Sequence, residues 1–431
     1  MTADLPHGYR FESLDASRWD DVQEMDTWSF PSPHSAADLG ALPVSFTWGR
    51  SVGVAAEGAG TGELVAHHSS YPFAHFPVPG GELATAGLTW VGVHPQHRRR
   101  GILRAMVARH LADCRRWGEP LSALFAAEAP IYGRFGYGHA ADDLRLTIPR
   151  PAALRDVPGA EKYTVRLDHA SQERHGDLVD RLHRAAGRAP TGVDGINRPG
   201  WATRETPELQ AHFWSDPPIF REGREDRRIA IAEQDGEPRG YAFFRRTLSW
   251  EPAGPRGSTM VGEIATLDPA AARALWAVLL DFDLMADIRP NQLPVDDPLT
   301  RLLVDRRAAL PRVADNLWIR IVDLPKALAG RRYAADVDVV LAVTDELVPG
   351  NVGNWRLTAT AFGPAAVEPA QDVAAADLEV DVQSLGAAYL GGVSLASLAS
   401  AGLVRERRPG ALAMAAVAFG WPVAPVCSWV F

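Results

Sequence analysis

The stretch Val-His-Pro-Gln-His-Arg-Arg-Arg-Gly-Ile-Leu-Arg, residues 93–104, joins an apolar run at 82–93 to a segment, 101–117, whose apolar side chains recur at helical spacing. The pattern predicts a strand, a basic loop and a helix. Backbone N–H groups at the start of a helix are unpaired and carry partial positive charge, and Gly101 lets an anion approach them closely. Arg98, Arg99 and Arg100 add fixed cations suited to phosphate. The stretch is a candidate pyrophosphate cradle, and the alternative is a solvated basic turn.

A second motif favours the ligand site. Ile-Tyr-Gly-Arg-Phe-Gly-Tyr-Gly, residues 131–138, follows a short apolar strand predicted at 121–126 and is dense in aromatic residues and glycine. The arginine loop itself has neither the Gly-Lys-Ser/Thr of a Walker loop nor the Gly-x-Gly-x-x-Gly of a dinucleotide site. The two motifs together therefore predict a different kind of phosphate-containing ligand.

Composition limits the class of protein. The 431 residues correspond to two to four domains at about 150 residues each, and 46% hydrophobic with 23% charged residues exclude disorder, collagen and coiled coil. The net charge of −9 disfavours nucleic acid and anionic membranes, although it attracts a polycationic substrate. Two cysteines, Cys114 and Cys427, cannot build a disulfide framework, and the N-terminus does not resemble a signal peptide. We therefore expect a cytoplasmic protein.

The strand and helix patterns divide the chain into three sections, 1–150, 151–310 and 311–431. The first predicts an α/β unit with a mixed sheet, from strands at 51–56, 62–69, 82–93, 121–126 and 142–148 around the helix at 101–117 and after a loop or weak helix at 30–42. The second predicts strands at 228–233, 239–246 and 260–267 between helices at 172–186 and 269–286. The third predicts an α+β unit with strands at 317–321, 335–343, 354–360 and 377–382 and helices at 324–329, 384–389 and 394–401.

The first two sections share an internal repeat. Leu-Thr-Trp-Val-Gly-Val-His-Pro at 88–95 and Val-Gly-Glu-Ile-Ala-Thr-Leu-Asp-Pro at 261–269 both end a strand before a helix. The second copy continues with Ala-Ala-Ala-Arg-Ala-Leu at 270–275, where the first has its arginines and glycine. The repeat predicts a duplicated fold whose second copy has lost its ligand loop.

The last 21 residues, 411–431, carry no charge. That length could cross a membrane, but Gly420, Pro422 and Pro425 interrupt it. We predict instead a helix ending near Phe419 and an extended strand at 422–431, and no membrane contact. We also predict no metal site, because the histidines lack metal-ligand spacing and a cysteine pair. They are His67, His68, His75, His94, His97 and His139.

The two motifs resemble those of the GNAT superfamily of acetyl-CoA-dependent N-acetyltransferases, and the whole chain resembles the enhanced intracellular survival (Eis) family. The Eis resemblance also rests on the stretches at 297–299, 317–321 and 385–391. It implies tandem GNAT folds, the second degenerate, and a C-terminal domain similar to sterol carrier proteins. It further implies a homo-hexamer.

The resemblance also implies the roles of site residues. Val91 and Val93 would offer main-chain hydrogen bonds to the pantetheine arm of acetyl-CoA. The pyrophosphate would be surrounded by Arg98, Arg99, Gly101, Ile102 and Leu103, with Arg100 and Arg104 nearby. Tyr132 would be the general acid that protonates the CoA thiolate, since an unperturbed phenol pKa of about 10 is close to the ~8.5 of a thiol. The α-carboxylate of Phe431 would receive the proton of the amine, delivered by the strand at 422–431.

Further roles and departures follow from the same comparison. Trp90 would place a backbone amide beside the thioester carbonyl, and Tyr137 would be structural. The family has a serine at the position of Ala127 and an acidic residue at that of Val430, which weakens a direct transfer of aminoglycoside specificity. Acids that could bind a cation instead are Asp20, Asp21, Glu24 and Asp26, and the alternative for them is a solvated helix face.

The implied function is acetyl transfer from acetyl-CoA to a primary amine of a cationic acceptor in a ternary complex. Candidate acceptors are an aminoglycoside, a cationic peptide and a lysine side chain, with resistance to aminoglycosides as one biological role. The alternative is a lipid- or sterol-binding carrier with a vestigial acetyltransferase half. An intact arginine loop and Tyr132 oppose the carrier, because a vestigial site should look like residues 270–275.

Overall fold

The computed structural model describes residues 4–31, 34, 36–40, 43–57, 63–370 and 376–431. The strands of the first section are β1 (Tyr9–Ser13), β2 (Val52–Ala56), β3 (Leu64–Val78), β4 (Gly81–Val93), β5 (Leu121–Leu124), β6 (Gly138–His139), β7 (Asp142–Arg145) and β8 (Ile148–Pro149). Its helices are α1 (Trp19–Ser29), α2 (Ala36–Gly40), α3 (Ile102–Trp117) and α4 (Ala129–Tyr132). The strand predicted at 62–69 continues to Val78, and its predicted first residue lies outside the described residues. Only part of the loop or weak helix predicted at 30–42 is described, and that part contains the short helix α2.

The second and third sections follow the predicted order of elements. The second contains β9 (Thr164–His169), α5 (Gln172–Arg188), α6 (Pro207–Trp214), β10 (Arg228–Gln234), β11 (Glu237–Thr247), β12 (Trp250–Glu251), β13 (Gly254–Pro255), β14 (Gly257–Thr266), α7 (Pro269–Leu279), β15 (Met285–Pro290), β16 (Leu293–Pro294) and α8 (Leu299–Leu302). The third contains β17 (Arg312–Asp315), β18 (Trp318–Ile321), α9 (Leu324–Gly330), β19 (Val337–Thr344), β20 (Gly353–Ala359), β21 (Ala365–Pro369), β22 (Leu378–Asp381), α10 (Val382–Ala388), α11 (Leu395–Ser400), β23 (Val404–Glu406) and α12 (Ala411–Phe419). The helix predicted to reach residue 286 ends at Leu279, since residues 285–290 form strand β15.

Two sheets carry the repeat. The first has the strand order β1-β2-β3-β4-β5-β18-β6, with α3 after β4, and we call it the first copy. The second has the order β8-β15-β14-β11-β10-β9, with α7 after β14, and we call it the second copy. In each copy the strand before the helix runs parallel to the strand after it, β4 to β5 and β14 to β15. A five-stranded sheet, β21-β20-β19-β22-β23, belongs to the third section.

Strand exchange links the three sections. β18, which the sequence places in the third section, lies in the first sheet between β5 and β6. β8 joins the second sheet through β15, and β7 pairs with both β16 and β17. The sequence patterns predicted β18, and a single strand at 142–148 where the structure has β7 and β8, but they did not predict β15, β16 or β17. They could not predict strand partners either, because a two-residue period says which face is buried and not which strand lies alongside.

The predicted strand at 422–431 is wrong. The helix does end at Phe419, but residues 420–431 form an irregular segment. Its backbone N–H groups bond to single acceptors instead of a neighbouring strand, for instance Ala424 to Asp296 Oδ2 at 2.8 Å and Cys427 to Asn316 Oδ1 at 2.8 Å. Two prolines without N–H groups make a continuous ladder unfavourable here.

The segment is nevertheless buried. Cys427, Trp429 and Phe431 belong to the largest hydrophobic core, which also includes Phe73 of the first sheet and Leu385 of the third section. The end of the chain therefore lies between domains and not at the surface. Among the described residues, no helix has both the length and the apolar character that a membrane crossing needs.

Candidate active site

The two central strands of the first copy separate at the site. β4 and β5 pair from Thr85 with Leu121 to Gly87 with Ala123, while β4 continues to Val93. A bulge follows: two residues, Trp90 and Val91, lie opposite one residue of β3, and Trp90 has a left-handed φ of 54°. The main chain of residues 91–93 therefore faces the gap between the strands.

The arginine loop has the conformation that an anion site needs. Arg99 and Gly101 have φ values of 60° and 87°, in the region that favours glycine, and no side chain caps the start of α3. The first N–H groups of the helix are thus left for a ligand. Tyr9 holds the loop from β1, because its hydroxyl lies 2.9 Å from His97 Nδ1 and accepts a hydrogen bond from Arg100 Nη1 at 2.9 Å.

A cavity of about 600 Å³ lies between the separated strands, the loop and α4. Eight of the nine residues predicted to bind the cofactor line it: Val91, Val93, Arg98, Arg99, Gly101, Ile102, Leu103 and Arg104. The ninth, Arg100, bonds to Tyr9 and is not in the lining. Within the described residues, no carboxylate forms an ion pair with any of the four arginines. Uncompensated cations around a glycine and an uncapped helix suit a pyrophosphate.

A second cavity, of about 330 Å³, adjoins the first. Both are lined by the same four residues, Phe30, Val91, Ala127 and Tyr132. Phe431 and Val430 line only the smaller one, so the structure brings together the predicted catalytic residues, Tyr132 and Phe431. Ala127 offers no side-chain hydrogen bond, as its residue type indicates.

Tyr132 is buried at the end of α4, with its ring edge-on to Tyr137 at 5.9 Å. Burial, with a smaller contribution from the Glu128 carboxylate, raises the pKa of Tyr132 to about 12. The phenol is therefore protonated at neutral pH, although it is a weaker acid than its ordinary value suggests. Tyr137 lies deeper, and its hydroxyl is 2.8 Å from Ser122 Oγ, which supports a structural role.

The ring of Phe431 fixes the end of the chain against the first sheet. It packs edge-on to Phe73 and Phe125, with ring centres 4.9 and 5.2 Å apart. A Cβ at Gly87 would lie 2.4 Å from the Phe73 ring and 3.0 Å from that of Phe431, so the point where the strands separate has no room for a larger residue.

Residues that the sequence analysis missed also line the smaller cavity, namely Arg145, Asp315 and Asn316. Asn316 bonds to Cys427 in both directions, with its Oδ1 accepting from the N–H at 2.8 Å and its Nδ2 donating to the carbonyl at 3.2 Å. Asp315 accepts from Trp318 Nε1 at 2.9 Å. In the sequence, Asp315 and Asn316 stand just before the stretch at 317–321, which could have pointed to them. That stretch reaches the site only because β18 joins the first sheet.

The acids predicted near the N-terminus do not line either cavity. Asp20 and Asp21 are exposed on α1, Asp21 pairs with Arg18 at 2.5 Å, and exposed Glu24 accepts from Trp28. Asp26 instead faces inward, 3.8 Å from His67 Nε2, and burial raises its pKa to about 7. Asp20, Asp21 and Glu24 therefore lie on a solvated helix face. No group of three or more histidine, cysteine, aspartate or glutamate residues in the described chain is placed to hold a metal.

The fold and the cavities define a class of protein. A separated β4–β5 pair, a basic loop before a helix and a tyrosine that lines both cavities are the features of a GNAT domain. Sequence profiles described as acetyltransferase (GNAT) domain match residues 10–140 and 200–321, and one described as sterol carrier protein domain matches residues 324–428. The predicted tandem GNAT folds and sterol carrier-like domain are confirmed.

Similar proteins of known sequence or structure identify the family within this class. An uncharacterized N-acetyltransferase of Streptomyces avermitilis is 42% identical over 81% of this chain and 82% of its own length. N-acetyltransferase Eis of Mycobacterium tuberculosis is 35% identical over 82% and 83%. The crystal structure of Eis1 from Mycobacterium abscessus superposes with a TM-score of 0.78 and 28% identity, covering 98% of this chain and all (100%) of that one. The chain belongs to the Eis-like family of GNAT N-acetyltransferases.

Proposed function

We propose that this acetyltransferase moves the acetyl group of acetyl-CoA directly to a primary amine of a cationic acceptor within a ternary complex. The observation that carries the proposal is the meeting of two cavities at Tyr132, one lined by arginines and one by Phe431. Two adjoining cavities can hold donor and acceptor together, which direct transfer requires. Bound acetyl-CoA supplies an acetyl group already activated as a thioester.

The larger cavity is the proposed donor site. Arg98, Arg99 and Arg104 hold the pyrophosphate with the first N–H groups of α3, and the free edge of β4 at Val91 and Val93 bonds to the pantetheine arm. The backbone at the bulge residue Trp90 polarises the thioester carbonyl. Tyr132 then donates a proton to the departing thiolate; its raised pKa keeps the phenol protonated at neutral pH but makes it a weaker acid than an exposed tyrosine.

The smaller cavity is the proposed acceptor site. The terminal carboxylate of Phe431 holds the amine and takes its proton, and Asp315 adds a second negative charge. Val430 is 57% exposed and carries no charge there. Because this position does not favour one cation over another, the proposed acceptor is an aminoglycoside, a cationic peptide or a lysine side chain.

Each of the three sections has a separate proposed role. We propose that residues 1–150 bind the donor, that 151–310 are a degenerate GNAT domain, and that 311–431 supply the carboxylate. We also propose a cytoplasmic homo-hexamer, on the family resemblance. Light scattering should give about six times the chain mass if the hexamer is correct.

The test is thiol release from acetyl-CoA with a panel of aminoglycosides, cationic peptides and lysine peptides. We expect Tyr132→Phe and a variant extended beyond Phe431 by three glycines each to lose at least ~100-fold in kcat, in the range of general acid–base groups. Tyr163→Phe, which removes a hydroxyl bound to Asp268 in the second copy, and three glycines added at the N-terminus are the matched controls. Full activity of the C-terminally extended variant would show that the carboxylate is not the base.

A lipid- or sterol-binding carrier is the competing function. Lipid binding by calorimetry without turnover of any amine would favour it. The uncompensated arginines of the donor cavity argue against it, because a carrier has no use for a pyrophosphate site.

A further inference from the structure

The second copy has a bulge at the same place as the first. On β14, Gly262 and Glu263 lie opposite one residue of β11, as Trp90 and Val91 lie opposite one residue of β3. Glu263 is therefore the counterpart of Val91, the residue that lines both cavities of the first copy. A buried carboxylate has replaced an apolar residue at that point.

Glu263 is only 5% exposed, and both oxygens of its carboxylate accept hydrogen bonds. Oε1 accepts from the Tyr241 hydroxyl at 2.5 Å, and Oε2 accepts from Ser428 Oγ at 2.8 Å and from Arg204. Although burial opposes ionisation, Arg204 is the main cause that holds the pKa of Glu263 at about 2, so the group is ionised.

His183 completes the contacts of Ser428. Burial lowers the pKa of His183 to about 3, so the ring is neutral, and its Nε2 lies 3.0 Å from Ser428 Oγ. Since the hydroxyl hydrogen is donated to Glu263, the ring must donate its N–H to the serine oxygen. Ser428, Glu263, His183 and Arg204 form what we call the tail clamp.

The clamp lies close to the end of the chain. Ser428 is three residues before Phe431, a reach of at most ~10 Å. Its neighbour Trp429 donates from Nε1 to the Ala202 carbonyl at 2.8 Å, and the Arg204 guanidinium lies 5.1 Å from the Trp429 ring. Ser428 and Trp429 together restrain the segment that ends at Phe431 in the acceptor cavity.

We propose that Glu263, acting through Ser428, is a positioning residue for the terminal carboxylate: a position of the second copy that corresponds to the cavity-lining Val91 now holds the tail in the active site of the first. The inference rests on the proposed function of Phe431. It assigns the degenerate domain a role in catalysis that does not involve binding a ligand of its own.

Ser428→Ala is the central variant, and Tyr241→Phe is its matched control. Both substitutions remove one hydroxyl that bonds to Glu263, but only the hydroxyl of Ser428 belongs to the C-terminal tail. We expect Ser428→Ala to lower kcat about tenfold, as a misplaced reacting group does, with the KM for acetyl-CoA changed less than about twofold. We expect Tyr241→Phe to keep the kcat of the wild type.

A second measurement reports the tail directly. Carboxypeptidase A releases a C-terminal phenylalanine, and mass spectrometry gives the rate. Release of Phe431 should be several times faster from Ser428→Ala than from wild type and Tyr241→Phe. Equal rates in all three proteins would overturn the clamp, and so would equal losses of kcat in both variants.

The extended variant separates the two hypotheses. If added glycines leave activity intact, the proposed function of the carboxylate fails. If they abolish activity while Ser428→Ala keeps wild-type kcat, only the positioning role fails. Recovery of kcat in Ser428→Thr, which restores the hydroxyl, supports the role, and a Thr variant that folds but stays as slow as Ala contradicts it.

Discussion

The two GNAT copies share a strand order around the parallel pair and a bulge, but the cavity beside the bulge differs in size. The cavity between β4, α3 and α4 measures about 600 Å³, whereas the corresponding space between β14 and α7 measures about 70 Å³. Trp276, which is fully buried on α7, lines that small cavity together with Ile264 and Pro298. The second copy therefore offers far less space beside its bulge than the first.

The starts of the two helices differ in charge as well. Gly101 leaves α3 uncapped, but Asp268 caps α7, with its carboxylate accepting from the Ala271 N–H at 2.8 Å. The same carboxylate accepts from Tyr163 and Arg239. The second copy thus carries its own anion where the first copy leaves room for a phosphate. In the second copy a side chain thus makes the hydrogen bond at the start of the helix that the first copy leaves open.

Giving the first copy the acid of the second should have the largest effect. Gly101→Asp introduces a carboxylate at the proposed pyrophosphate site, and we expect the KM for acetyl-CoA to rise at least ~100-fold because a pair of like charges replaces an attraction. Gly101→Asn has nearly the same shape and the same strain at φ 87° without the charge. Similar KM values for the two variants would mean that strain and not charge decides binding.

Removing single arginines should sharpen the comparison. We expect Arg99→Ala to raise the KM for acetyl-CoA about tenfold and Arg100→Ala by less, since only Arg99 lines the cavity while Arg100 bonds to Tyr9. The difference should shrink in high salt. Equal effects of the two substitutions would contradict the assignment of the lining.

Each copy also has a carboxylate near its bulge with a shifted pKa, the partly exposed Asp26 in the first copy and the buried Glu263 in the second, and the two pKa values shift in opposite directions. Burial raises the pKa of Asp26 to about 7, whereas Glu263, ion-paired with Arg204, is held at about 2. Because the folded state binds the Asp26 proton more tightly than the unfolded state, the free energy of unfolding falls as pH rises from about 4 to 7. Asp26→Asn should therefore stabilise the protein by about 1–2 kcal/mol at pH 8 and by little at pH 4.

Denaturant unfolding of the wild type and the Asn variant at both pH values measures that effect. Glu263 has the opposite sign, because its stabilising contribution is present above about pH 4 and is lost as pH falls towards 2. A stabilisation by Asp26→Asn that does not grow with pH would show that the Asp26 carboxylate is not desolvated.

The smallest effect is expected at the cap of the second copy. Asp268→Ala should lower the free energy of unfolding by about 1 kcal/mol, the usual contribution of an N-cap, and leave the KM for acetyl-CoA unchanged. Calorimetric binding of acetyl-CoA by the variant at a second site would show that the cap alone had closed the second copy.

Local patterns predicted most elements of the fold. The helix at 101–117 and the strand at 82–93 each agree with the structure within one residue, since periodicity and the flanking glycine are properties of neighbouring residues. The strand predicted at 422–431 does not form. The segment is apolar, but its prolines and single side-chain acceptors such as Asn316 impose an irregular course. The sequence supplies only the unperturbed pKa of the Tyr132 phenol, and burial, which residue type does not reveal, raises that pKa to about 12.

The sequence by itself determined the basic loop, the aromatic motif after β5, the repeat with its lost loop and the stop of the last helix, all of which depend on residues adjacent in the chain. Only the tertiary structure decided the exchange of β18 into the first sheet, the course of the tail over the second copy and the meeting of Tyr132 with Phe431. Those features depend on hydrogen bonds and packing between residues far apart in sequence. No local period encodes such contacts, because each is fixed by the partner that burial brings alongside.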